Sequence, residues 1–118
     1  MAGSPYNTLR DASVDNTNQV AKVGNGEVAY FQVTNGGTVD AYLHFYDALT
    51  ADVTVGSSPA PIATFLVPAG TAADHAGAYE YNGPPIKFEV GLVYAATTTF
   101  AGGTNPTTKP ALGIMSYR

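Results

Sequence analysis

From Gln19 onward, short apolar runs alternate with clusters of Gly, Asn, Pro, Ser and Thr. Apolar runs bounded by turn-forming residues are typical of the strands of all-β sandwiches and barrels. A helix needs about ten residues with 3.6-residue periodicity, and only residues 46–53 hint at that pattern. The predicted strands are 19–23, 27–34, 40–47, 62–67, 78–81, 86–94 with an extension over 95–99, and 111–117.

Each predicted strand has one apolar face, because successive side chains of a strand point to opposite sides. The strand over 40–47 shows this most clearly. One of its faces consists of Ala41, Leu43 and Phe45, and the other of Tyr42, His44 and Tyr46. Strands with one apolar face bury it by packing two sheets together or by closing one sheet. We predict an all-β fold: a single jelly-roll-like or Greek-key β-sandwich of six to eight strands over residues 19–118.

Two glycine-containing segments separate predicted strands in the first half of the chain. Gly-Asn-Gly at 24–26 and Asn-Gly-Gly at 35–37 predict tight hairpin turns, since Asn and Gly tolerate a positive φ. Residues 1–18, in contrast, are polar, mix charge signs and follow neither periodicity. We predict that they form a flexible, extended N-terminal arm outside the sandwich, which becomes ordered only against something else.

The aromatic residues and one amphipathic strand define the predicted core. The predicted core phenylalanines are Phe31, Phe45, Phe65 and Phe88. The tyrosines predicted to be half-buried or exposed are Tyr30, Tyr42, Tyr46, Tyr79 and Tyr81. Along 86–94, the predicted apolar face carries Ile86, Phe88, Val90 and Leu92, and the solvent face carries Lys87 and Glu89.

Composition then excludes several classes of function. The 118 residues include nine acidic and five basic side chains, for a net charge of −4, and no cysteine. Five scattered cations do not form the basic stripe that neutralises nucleic-acid phosphates, so we expect no nucleic-acid partner. Without cysteine there is no disulfide scaffold, zinc ribbon or thiol nucleophile. The most span-like stretch, 88–100, is too short and too rich in threonine to cross a membrane, and no signal sequence is recognisable.

The residues that could support catalysis are few. His44, with Asp47 nearby, and His75, which follows Asp74, are the candidate general bases. No serine lies in a Gly-x-Ser-x-Gly elbow, which argues against a hydrolase triad. The carboxylates near or within predicted strands, Glu27, Glu80 and Glu89, do not by themselves define a glycosidase pair. We therefore expect no enzymatic activity.

An oxygen-rich patch near the N-terminus is the candidate metal site, formed by Asp11, Asp15, Asn16 and Asn18. Its spacing does not match a calcium-binding loop, and side-chain hydrogen bonds to the local backbone explain it equally well. The glycines at 24–26 have no following helix to bind a phosphate. We expect neither a metal nor a cofactor.

Tyrosines on a surface with few charges favour binding functions. Only 12% of the residues are charged, against about 25% in an average soluble domain. The cores of protein interfaces are depleted in charge and enriched in Tyr and Phe, so we favour burial against another protein subunit. The alternative is a carbohydrate-binding module that stacks sugar rings on a platform of Tyr42, His44 and Tyr46.

An ordered set of short motifs carries a family resemblance. The motifs are Tyr-Leu-His-Phe-Tyr-Asp-Ala at 42–48, Val-Gly at 55–56, Pro-Ala-Pro at 59–61, Phe-Leu-Val-Pro-Ala-Gly at 65–70, Ile-Lys-Phe-Glu-Val-Gly-Leu at 86–92 and Tyr-Ala-Ala-Thr-Thr at 94–98. In this order they resemble small structural proteins of tailed-bacteriophage virions, over roughly residues 19–117. The loops at 71–85 and 101–106 depart from that pattern.

The resemblance implies a virion protein with a β-sandwich fold, most simply a capsid decoration (cement) protein that binds and stabilises the assembled head. A tail or head-fibre component is the related alternative. The implied partners are the lattice of the major capsid protein and further copies of this chain, expected as a homotrimer. The protein would be made in the host cytoplasm and located in the virion. The predicted contact residues are Tyr6, Leu9, Arg10, Tyr79, Tyr81, Asn105 and Lys109.

Overall fold

The computed structural model describes residues 6–70 and 77–118, which form nine strands and one turn of 3₁₀ helix, Thr50–Asp52. The strand ends follow the turn-forming residues of the sequence, since most strands end at a Gly, Asn, Asp or Pro turn. The strands are β1 (Asn7–Asp11), β2 (Gln19–Val23), β3 (Gly26–Asn35), β4 (Ala41–Asp47), β5 (Ala63–Val67), β6 (Gly77–Tyr81), β7 (Ile86–Phe88), β8 (Gly91–Thr97) and β9 (Ala111–Tyr117).

The strands form two antiparallel sheets that pack face to face. The first sheet has the order β1-β9-β3-β6, with β7 also paired to β3, and the second has the order β2-β8-β4-β5. One long antiparallel ribbon that folds over on itself contains four successive strand pairs, which we call its rungs: β1/β9, β2/β8, β3/β6 and β4/β5. This is the connectivity of a jelly roll, with β7 as an addition. The predicted all-β sandwich, jelly-roll-like or Greek-key, is therefore confirmed, with nine strands in the described residues where six to eight were predicted.

The main core lies between the sheets and is centred on aromatic rings. The Phe31 ring lies 5.2 Å from the Phe45 ring and 4.9 Å from the Phe65 ring, centroid to centroid. Both contacts have the edge-to-face geometry that aromatic quadrupoles prefer. Phe31, Phe45 and Phe88 are buried and Phe65 packs against them partly exposed, so the predicted aromatic core is confirmed.

The two Gly-Asn segments form turns, but these turns do not close hairpins. Gly24 has a φ of +97°, the backbone conformation for which glycine is favoured. However, the turn at 24–25 joins β2 to β3, and residues 36–40 join β3 to β4. Each connection passes from one sheet to the other. The hairpin prediction is wrong because consecutive strands at these positions belong to different sheets.

The prediction that residues 1–18 form an arm outside the sandwich is wrong from residue 7 onward. Strand β1 pairs with β9, and Leu9 packs against the main core. Val14 is fully buried, and its N–H donates to the Pro110 carbonyl at 2.9 Å. Strand β1 lies at an edge and turns little apolar surface inward, so its sequence shows no clear alternation. Residues 1–5 lie outside the described part of the chain.

The predicted single strand over 86–94 is two strands in different sheets. Strand β7 belongs to the first sheet and β8 to the second, with a bend at Glu89 and Val90. Val90, predicted on the apolar face, is 49% exposed. The Asp47 carboxylate accepts the N–H groups of residues 89, 90 and 91 at 2.8–3.3 Å. A side chain distant in sequence therefore stabilises the bend.

Candidate functional site

The outward face of β4 is covered by loops. Phe45 points into the main core, whereas Tyr46, its neighbour, belongs to a second small core on the outside of the second sheet. This second core consists of Tyr46, Ala48, Val53, Val93 and Ala95. The Asn18 amide donates to the carbonyls of residues 50 and 53, which fixes the covering loop. Tyr46 is only 2% exposed, so its predicted partial exposure is wrong.

His44 on β4 links three strands, because its ring forms hydrogen bonds with threonine hydroxyl groups on β5 and β8. The Thr97 hydroxyl donates to the Thr99 carbonyl at 2.7 Å, so it accepts a hydrogen bond from His44 Nε2, also at 2.7 Å. This assigns the ring proton to Nε2. Nδ1 then accepts the hydrogen bond of the Thr64 hydroxyl at 2.8 Å. Both ring nitrogens of the neutral imidazole are occupied.

This arrangement makes His44 a structural residue. Burial lowers the pKa of His44 from its ordinary value of 6.5, because the charged form loses hydration. Asp47, the predicted neighbour, instead binds the backbone at 89–91. A general base must reach its substrate, and neither nitrogen of His44 is free to do so in this geometry.

The lowered pKa of His44 predicts a specific pH dependence of stability. The folded state takes up this proton at lower pH than the unfolded state, so the free energy of unfolding should fall as the pH drops below about 6.5. An NMR pH titration of the imidazole should give a midpoint below that of a histidine in a short peptide. The variant His75→Gln leaves a single histidine signal for assignment. A midpoint at or above 6.5 would contradict the burial argument.

A cleft of about 490 Å³ opens beside this covered region. One wall is the loop after the 3₁₀ helix, which contains a cis peptide bond between Ser58 and Pro59. The other wall is the segment after β8, and the two loops meet where Gly56 lies against the backbone of Gly103. The lining residues are His44, Tyr46, Gly56, Ser57, Pro59, Ala60, Pro61, Ile62, Ala63, Thr64, Phe100, Ala101 and Gly102. None of these carries a formal charge when His44 is neutral.

Exposed apolar side chains continue from this cleft along the edge strand β5. Leu66 lies directly opposite Tyr42 in the β4/β5 pairing, and the Tyr42 ring meets the Phe100 ring edge to face at 6.0 Å. Ile62, Leu66 and Phe100 are 43%, 45% and 66% exposed. We call Tyr42, Ile62, Leu66 and Phe100 the apolar face. The sequence pattern did not predict Ile62, Leu66 or Phe100 as a surface; the uncharged stretch 53–70 was the available signal for Ile62 and Leu66.

The predicted sugar platform does not exist as an exposed surface. Tyr42, His44 and Tyr46 share one face of β4, as predicted, but His44 and Tyr46 are each 2% exposed. Stacking on a sugar requires an accessible ring face. Only Tyr42 is partly accessible, and Phe100 packs against it.

The predicted partner-contact residues do not form one surface. Leu9, Tyr79 and Tyr81 pack against the main core, and the Tyr81 ring stacks on Phe31 at 5.4 Å. Lys109 precedes β9, whereas Tyr6 lies under Arg118, just after the same strand. The seven residues of β9 span roughly 20 Å, so Lys109 and Tyr6 lie near opposite ends of this strand. Arg10 is exposed on β1, and the Asn105 side chain accepts the Asn16 N–H at 3.2 Å. Their role as contacts stays a prediction.

The oxygen-rich patch attaches the segment after β1 to the rest of the domain. Asp11 accepts the Tyr94 hydroxyl hydrogen bond at 2.9 Å, and the Asn16 amide donates to the Gly103 carbonyl at 2.9 Å. Asp15 accepts the N–H of residue 17. Within residues 6–70 and 77–118, no three His, Cys, Asp or Glu side chains form a metal-binding group. Asp74 and His75 lie outside the described residues.

The other predicted carboxylates serve separate surface contacts. Glu27 accepts a hydrogen bond from Tyr6, Glu80 accepts one from Tyr30, and Glu89 is exposed at the bend.

Comparisons with family models, curated proteins and solved structures found no match for this chain. No helix in the described residues is long and apolar enough to span a membrane.

Proposed function

We propose that this chain is a non-enzymatic structural protein of a bacteriophage virion, and that it attaches to the assembled head through its apolar face. The observation that carries the proposal is the group of exposed apolar side chains beside a cleft without charged lining residues. Contiguous exposed apolar surface marks interaction sites, and interface cores are depleted in charge.

Two further points support this proposal. Jelly rolls occur in viral capsid and lectin domains, although a fold alone does not specify a function. The sequence resemblance to small virion proteins is a second line of support, and two of its motifs, 42–48 and 65–70, contain Tyr42 and Leu66 of the apolar face. The resemblance favours a capsid decoration protein over a carbohydrate-binding module, and two of the three platform residues, His44 and Tyr46, are buried.

A decoration protein stabilises a capsid by mass action, because it binds the assembled shell and not its separate subunits. Copies that also contact each other gain avidity on a repeating lattice. We therefore propose a homotrimer as the attached form, which suits three-fold positions of a shell. Deletion of residues 2–18 is not a clean test of attachment, since it removes β1 and Val14 from the domain.

The first test is the copy number of this chain in purified virions of the phage that encodes it, measured by mass spectrometry against the major capsid protein. A simple ratio to the capsid subunit supports a decoration protein. A few copies per particle would reassign the chain to the tail, a vertex or a fibre. Complete absence would overturn the virion proposal.

The apolar face gives a second, residue-level prediction. The double variant Leu66→Asp/Phe100→Asp should bind particles that lack this protein at least tenfold more weakly, about 1.4 kcal/mol or more. Cosedimentation with such particles measures the loss. The matched control is Val20→Asp/Val23→Asp, two exposed valines on β2, at the opposite edge of the same sheet. Equal losses for both double variants would contradict the assignment of the face.

A further inference from the structure

A second cleft, of about 540 Å³, lies at the end of the sandwich where β3 begins. Its lining residues are Lys22, Asn25, Gly26, Glu27, Lys87, Phe88, Glu89 and Arg118. Three of the five basic residues of the chain are in this list. We call Lys22, Lys87 and Arg118, with the surface between them, the basic cleft.

Strand pairing sets the arrangement of the basic cleft. Lys87 on β7 lies opposite Glu27 on β3, and Arg118 lies on the other side of Glu27. Glu27 and Arg118 exchange two backbone hydrogen bonds, of 2.7 and 3.0 Å. Neighbouring strands are about 4.8 Å apart, so the backbones of Lys87 and Arg118 are separated by roughly 10 Å.

The Arg118 side chain is held in place without using all its donors. Its guanidinium carbon lies 4.9 Å from the centre of the Tyr6 ring, a cation–π contact. Its Nη2 atom is 3.6 Å from a Glu27 carboxylate oxygen, longer than a hydrogen bond. The side chain remains half exposed. Nitrogen donors of Arg118 are therefore available to a ligand.

Neither Lys22 nor Lys87 has a carboxylate within 4.0 Å among the described residues. Within the described residues, the Arg118–Glu27 contact is the only ion pair closer than 4.0 Å. Lys22 is half-buried on β2 and Lys87 is exposed on β7. The side chains of the basic cleft thus comprise three cations and two carboxylates, in a chain with a net charge of −4. This excess of one positive charge favours a ligand of opposite charge.

We propose that the basic cleft binds an acidic peptide segment of a partner protein, through carboxylates placed along that segment. A single small anion midway between Lys87 and Arg118 would meet the Glu27 carboxylate, which repels it. Side chains on one side of an extended peptide recur about every 7 Å. Two of its carboxylates can therefore approach Lys87 and Arg118 without either one lying at Glu27. This inference does not rest on the virion proposal, since the basic cleft and the apolar face share no residue.

The test is a titration of the whole chain with a capped tetraglutamate peptide at low ionic strength. Isothermal titration calorimetry and amide chemical shifts measure the binding. The variant Lys22→Gln/Lys87→Gln should weaken peptide binding at least tenfold. The control Arg10→Gln/Lys109→Gln removes the same charge from the two basic residues outside the cleft, and should change binding less than threefold. Arg118 is kept because it contacts Tyr6 and Glu27.

Three results would overturn the proposal. Equal weakening by both double variants would show that net charge alone drives association. Inorganic phosphate that binds as tightly as the peptide would reassign the basic cleft to small anions. Absence of peptide binding at millimolar concentration would exclude an acidic segment of this kind. Peptide binding that shifts the amides of residues 22, 87 and 118, and is weakened only by the cleft variant, supports it.

Discussion

The variant Phe31→Ala should lose about 3–5 kcal/mol of unfolding free energy, the cost typical of removing a buried aromatic ring. Phe31 is fully buried, and its ring contacts those of Phe45, Phe65 and Tyr81 at centroid distances of 5.2, 4.9 and 5.4 Å. The substitution leaves a cavity where both sheets meet. Because a domain has only about 5–15 kcal/mol of stability, this is a large fraction of the total.

Urea unfolding monitored by circular dichroism measures this loss. The control is Phe100→Ala, whose ring is 66% exposed and whose removal should change stability by about 0.5 kcal/mol or less. If Phe31→Ala does not fold, Phe31→Leu should fold with a smaller but clear loss of about 1 kcal/mol or more. Similar stabilities for the wild type and both Phe31 variants would contradict the arrangement of the core.

The variant Asp47→Asn should lose about 2 kcal/mol at neutral pH, because hydrogen bonds to a charged acceptor are stronger than those to a neutral one. The Asp47 carboxylate accepts three backbone N–H groups at the bend between β7 and β8. Desolvation opposes its ionisation, but these three hydrogen bonds outweigh it and lower the pKa of Asp47 below 3.8.

This direction fixes the pH dependence of the Asp47 contribution. A carboxyl whose pKa is lowered by folding stabilises the protein above its unfolded pKa, and the contribution is lost as the pH falls through the folded pKa. The difference in unfolding free energy between wild type and Asp47→Asn should therefore shrink from pH 7 to pH 3. Asp52→Asn, an exposed position in the 3₁₀ helix, is the control. A difference that stays constant with pH would contradict this account.

Local sequence chemistry was sufficient to predict most strands and the fold class. Turn residues fixed where strands stop, and alternation fixed which side chains of β4 enter the main core. These properties depend on neighbours along the chain, so one sequence contains them. Sheet membership depends on distant partners, and for that reason the segments at 24–26 and 35–37 read as hairpins although they cross between sheets.

The differences from prediction have two physical origins. Edge strand β1 owes its place to backbone hydrogen bonds with β9, which leave little trace in its side chains. The bend at Val90 depends on Asp47, which no local pattern links to that position.

The candidate site was harder to predict than the fold. Alternation correctly placed Tyr42, His44 and Tyr46 on one face, but it does not reveal that loops cover that face. The apolar face includes Phe100, which lies in a loop where periodicity has no meaning. Sequence patterns predict what a strand presents, and not what later segments place on top of it.

The ribbon of four rungs has a consequence for how the chain reaches this fold. Strands β4 and β5 are close in sequence, whereas β1 and β9 lie near opposite ends of the chain. Closing a loop costs entropy that grows with loop length. Pairing of β4 with β5 brings β3 and β6 nearer, and each rung in turn shortens the loop that the next must close. Long-range pairing makes such folds slow to form. The innermost rung, which carries part of the apolar face, is thus the least costly place for folding to begin.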